Sequence, residues 1–110
     1  MIIDLRIYEI RPEKMRQWLT LWETQALPTQ REICGDFLGM YITDVGMVNE
    51  VVHLWRYADM GQRQERRDRM LADPRWQKYL AAQEELAAIR RATSRIIRPT
   101  AFSPHLTATG

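Results

Sequence analysis

The order in which the apolar periodicity changes along the chain limits its fold more than any other feature. Residues 2–10, IIDLRIYEI, alternate with a period of two. This puts Ile3, Leu5 and Ile7 on one face and Asp4, Arg6 and Tyr8 on the other. After Pro12 the period becomes helical, and Met15, Trp18, Leu19, Trp22 and Ala26 form one apolar stripe. Pro28 is expected to kink or end that helix, and Gly35 to close it. Residues 37–45, FLGMYITDV, and 49–57, NEVVHLWRY, return to period two around the turn GMVN, and so predict a hairpin. Asp59 reads as a helix cap, and Asp73-Pro74 as a second helix start. Trp76, Tyr79, Leu80, Gln83 and Ala87 follow on a stripe, and TSRIIRP (93–99) reads as a last strand before an irregular tail, 99–110. The order β-α-β-β-α-β predicts a single α+β domain over residues 1–110. It is the ferredoxin-like arrangement, an antiparallel four-stranded sheet with its helices on one face.

Alternation sorts the strand residues into two groups. Ile3, Leu5, Ile7, Leu38, Met40, Ile42, Val52, Leu54 and Ile96 make an aliphatic face, which the helices are expected to cover. Asp4, Arg6, Tyr8, Tyr41, Thr43, Val51, His53, Trp55, Tyr57 and Arg95 make a mixed face. That surface suits either a homodimer with its sheets face to face or the wall of a ligand cavity.

Composition narrows the class of function. The chain has 110 residues, 27% of them charged, and a formal net charge of +2, too small to imply a polyanionic partner. No run is long and apolar enough to cross a membrane, and the N-terminus enters a strand directly, without a signal-peptide pattern. A cytoplasmic protein with no membrane partner is therefore expected. The single cysteine, Cys34, excludes an internal disulfide framework, and with no positioned histidine partner it reads as a structural thiol. Metal binding is not expected, because His53 and His105 lie far apart and no second cysteine exists. Cofactors are likewise not expected. RQERRDR (63–69) mixes Glu65 and Asp68 with four arginines. It reads as a solvated, ion-paired helix face and not as a nucleic-acid footprint.

Several stretches together resemble the NIPSNAP family over nearly the whole chain: LRIYEIRPEKMRQWL, DVGMVNEVVHLWRYADM, RRDRMLADPRWQKYL and RIIRPTAFSP. The resemblance implies a homodimeric α/β barrel in which two ferredoxin-like subunits put their sheets face to face. It implies no single activity. The wider superfamily includes cofactor-independent monooxygenases, haem proteins and small isomerases, and carrying those activities over is analogy at the level of fold.

The candidate chemistry centres on His53, whose imidazole can donate and accept a proton near neutral pH. In an enzyme, Arg6 or Arg95 would hold an anionic or enolate-like oxygen, and Tyr8, Trp55, Tyr57 and Tyr41 would supply binding walls. The competing reading makes His53 a hydrogen-bonded residue of a dimer interface. Two functions follow as expectations: binding, with or without turnover, of a small hydrophobic or aromatic molecule, or a non-catalytic protein-interaction module.

Overall fold

The computed structural model describes residues 1–104; His105 and the rest of the tail lie outside the described residues. Strand β1 (Ile2–Ile10) leads through a short turn (Pro12–Lys14) into α1 (Met15–Leu21), a π-helical turn (Trp22–Ala26) and α2 (Leu27–Cys34). Strands β2 (Phe37–Ile42) and β3 (Glu50–Tyr57) form the expected hairpin. They are followed by α3 (Met60–Ala72), α4 (Pro74–Leu86) and β4 (Ile89–Ile97). The sheet is antiparallel in the order β2-β3-β1-β4, which completes the expected α+β, ferredoxin-like topology.

The local signals act where they were read. Asp59 caps α3 by accepting from the Gln62 amide at 2.8 Å, and Asp73 caps α4 by accepting from Arg75 N at 2.8 Å with Pro74 in the first turn. Gly35, at φ 72°, ends α2. Pro28 does not break its helix. The π turn just upstream changes the carbonyl spacing, and Pro28 falls in the first turn of the segment that follows, where a missing N–H costs little. The same turn buries Trp22 and Ala26 against the sheet.

The two sheet faces are reversed relative to expectation. In β1 and β3 the helices cover the mixed face: Val51, His53, Trp55 and Tyr57 are buried, and Trp22 stacks edge-on against His53 at 5.5 Å. Ile3, Leu5, Ile7, Val52 and Leu54 point the other way, and all but Ile3 are only half-buried. A period of two fixes which residues share a face but not which face the helices take. Both faces carry enough apolar surface to form a core. The helices present Trp18, Trp22, Trp76 and Tyr79, which pack on the flat aromatic side.

An irregularity in β2 between Phe37 and Gly39 shifts its register. Phe37, Met40 and Ile42 thus pair with Trp55, His53 and Val51, and Tyr41 pairs with Val52 on the open face. In β4, Arg95 lies opposite Leu5, also on the open face, and Ile96 lies opposite Asp4. Strand β4 is hydrogen-bonded to β1 but exposed almost throughout, so the helices do not cover it.

Candidate functional site

The candidate site lies between the sheet and the helices, around Arg6 of β1 and its cross-strand neighbour His53 of β3. Because Val51, His53, Trp55 and Tyr57 alternate on β3, one strand delivers all four beneath the helices. His53 is 1% exposed. Its Nδ1 accepts from Trp55 Nε1 at 2.9 Å, which leaves the proton of the neutral ring on Nε2, a buried atom with no partner. Tyr8 meets the imidazole edge-on at 4.9 Å. Burial, with the nearby charges of Arg6 and Arg67, lowers the His53 pKa to about 3. His53 is therefore neutral at physiological pH and can act as a hydrogen-bond donor, but it is a poor proton acceptor.

Beside the histidine is a buried charge cluster of Asp4, Arg6 and Arg63. Asp4, with no exposed surface, accepts from Arg6 at 3.2 Å and from Arg63 of α3 at 3.0 Å through the same oxygen, Oδ2. Arg6 also donates to the Tyr8 hydroxyl at 3.2 Å. Further along the same face, Tyr57 is buried next to Cys34, whose thiol points at Met70 Sδ at 3.8 Å. Burial raises the pKa of both the thiol and the phenol, so both stay protonated and Cys34 is not a ready nucleophile.

Above Arg6 and Tyr8 a cavity of about 140 Å³ opens under the helices. Trp22 and Gln30 come to it from the first helical run, Arg67 and Leu71 from α3, and Trp76, Tyr79, Leu80 and Gln83 from α4. Of the residues expected to form a site, Arg6 and Tyr8 line this cavity, His53 lies behind its Tyr8–Trp22 wall, and Trp55 and Tyr57 are packed in the core. Arg95 and Tyr41 are not brought to it. They face away from His53, on the far side of the sheet. The arginines of α3 are not a simple solvated face either. Arg63 reaches Asp4, Arg66 donates to Cys34 O at 2.9 Å, and Arg67 lines the cavity. The sequence does carry a signal for this: residues 63, 66, 67 and 70 share one helical face, and Met70 is fully buried. Among the described residues, no group of three His, Cys, Asp or Glu side chains could hold a metal ion.

The NIPSNAP family model matches residues 3–104. The chain belongs to the NIPSNAP family. A putative NipSnap protein of Caenorhabditis elegans is 31% identical over 93% of this chain, which covers 19% of that relative. Across the curated relatives it matches, the chain spans between 19% and 36% of their length. The crystal structure of a NIPSNAP family protein from Agrobacterium tumefaciens superimposes with a TM-score of 0.89 at 37% identity, covering 94% of this chain and 96% of that one. An antibiotic biosynthesis monooxygenase is similar in fold alone, with a TM-score of 0.66 at 16% identity over 91% of this chain and 99% of its own. No helix among the described residues is long and apolar enough to cross a membrane.

Proposed function

We propose that this NIPSNAP domain binds a small, partly aromatic molecule in the cavity between sheet and helices, in a homodimer built on its open sheet face. The observation that carries the reading is the cavity. Two tryptophans and two tyrosines wall it, two guanidinium groups enter it, and a buried histidine with a free donor stands behind it. Tyr and Trp bodies supply contact area, and the few polar groups supply orientation.

The dimer rests on the other side of the sheet. Leu5, Ile7, Val52 and Leu54 are half-buried, Tyr41 and Ile97 are exposed, and β4 is uncovered by its own helices. An aliphatic surface of this extent is typical of a protein contact. If the domain turns its ligand over, by cofactor-independent oxygenation or by isomerisation of an activated carbonyl compound, Arg6 and Arg67 are placed to hold an enolate-like oxygen. His53 would then contribute a neutral N–H and not a shuttled proton. The interaction-module reading loses its main surface, because three of the arginines it would need turn inward.

Isothermal titration with benzamide tests the binding reading. Saturable heat is expected from the wild type and none from Leu80→Trp, in which a larger ring fills the cavity mouth. Equal binding by both proteins would move the site elsewhere.

A further inference from the structure

The charges around the cavity say which class of molecule it takes. This step rests on the binding reading above and adds the ligand's charge and size. The two ionised side chains on its lining are both cationic, Arg6 and Arg67, and no carboxylate lines it. Arg6 is committed to Asp4, and Asp4 is in turn shared with Arg63. Arg67 makes no ion pair among the described residues. Behind the wall stand His53 and Trp18, and Nε2 of His53 is a donor without an acceptor. His53 Nε2 and Trp18 Nε1 are both fully buried, and both rings pack against Tyr8 and Trp22, which line the cavity. What faces the occupant is the unpaired guanidinium of Arg67 on a lining with no carboxylate, and that favours a negative occupant.

Size and wall chemistry complete the description. An apolar cavity of about 150 Å³ is enough to take benzene, so a cavity of about 140 Å³ takes a single ring, with a small substituent left at its mouth. Trp22, Trp76, Leu71 and Leu80 give that occupant an apolar body to lie against. We infer that the site takes a small aromatic or similarly flat monocarboxylate, with its carboxylate held by Arg67 in the two-point geometry that a guanidinium offers. Arg67 would thus be the residue that selects an anion over its neutral isostere.

The test compares benzoate with benzamide, which share ring and shape and differ in charge, on wild type, Arg67→Met and Leu80→Trp by isothermal titration. Wild type is expected to bind benzoate about tenfold or more tighter than benzamide. Arg67→Met should lose that preference, its benzoate affinity falling by about tenfold more than its benzamide affinity. Arg67→Gln serves the same purpose should the methionine variant misfold. Equal affinities in wild type, or a benzoate preference that survives loss of the Arg67 charge, would overturn the anion assignment and leave the cavity reading standing. Binding of neither compound would overturn both. Benzoate binding unchanged in Leu80→Trp would place the anion outside the cavity and overturn the assignment as well.

Discussion

At the scale of single residues, His53 is the most informative group in the chain. Its ordinary pKa of 6.5 falls to about 3 in the fold, so the unfolded chain takes up a proton at a pH where the folded one does not. The stabilising contribution of a neutral His53 is therefore complete above about pH 6.5 and is lost as the pH falls toward 3. The loss is about 1.4 kcal/mol for each pH unit inside that window. Urea unfolding at a series of pH values, compared between wild type and His53→Gln, should show this slope in wild type and its absence in the variant. Asp4 gives a second expectation at this scale. Asp4→Ala leaves Arg6 and Arg63 facing each other beneath α3 without their shared carboxylate, and should cost about 3–5 kcal/mol in the same assay. A cost under about 1 kcal/mol would mean that water reaches these arginines freely. Much at this scale was legible in advance: Arg6, Tyr8, His53, Trp55 and Tyr57 do share one face. Alternation puts Asp4 on that face as well, but its partner Arg63 is not legible, because the two lie 59 positions apart and meet only through packing.

At the scale of elements, the chain announces its strands and caps but not which side of the sheet the helices choose. Asp59, Asp73-Pro74 and Gly35 act through hydrogen bonds and backbone geometry within a few residues, so their roles follow from local chemistry. The choice of face does not. Ile3, Leu5 and Ile7 are more hydrophobic residue by residue than Asp4, Arg6 and Tyr8, yet α1, α3 and α4 cover the second set, because aromatic stripes and paired charges together close that interior. The irregularity at Phe37–Gly39 hides a further step. It moves Met40 and Ile42 to the His53 side and Tyr41 to the open side, a change of register that no alternation rule anticipates. Helix α3 teaches a related lesson. Its arginines look like surface charge when counted, but their spacing from Met70 marks three of them as inward-facing.

At the scale of the whole molecule, the reversed faces put on two surfaces the two roles, ligand wall and dimer contact, that alternation alone offers for one. The polar-aromatic side becomes interior and holds the candidate site, and the aliphatic side stays open, the surface on which the proposed dimer rests. Leu54 lies opposite Leu5 near the middle of that open side, so Leu54→Lys should convert a dimer to a monomer in sedimentation velocity while the helix-side cavity is preserved. A wild type that sediments as a monomer would remove the dimer proposal. The placement of the ligand is the claim on which the functional reading depends, and two-dimensional ¹H–¹⁵N NMR of the labelled protein titrated with benzoate tests it most directly. Shifts are expected at the Trp22 and Trp76 indole N–H signals and at the Arg67 side chain, with the Tyr41 and Arg95 amides unmoved. Shifts confined to Tyr41, Arg95 and their neighbours would put the ligand on the open face and contradict the site assigned between sheet and helices.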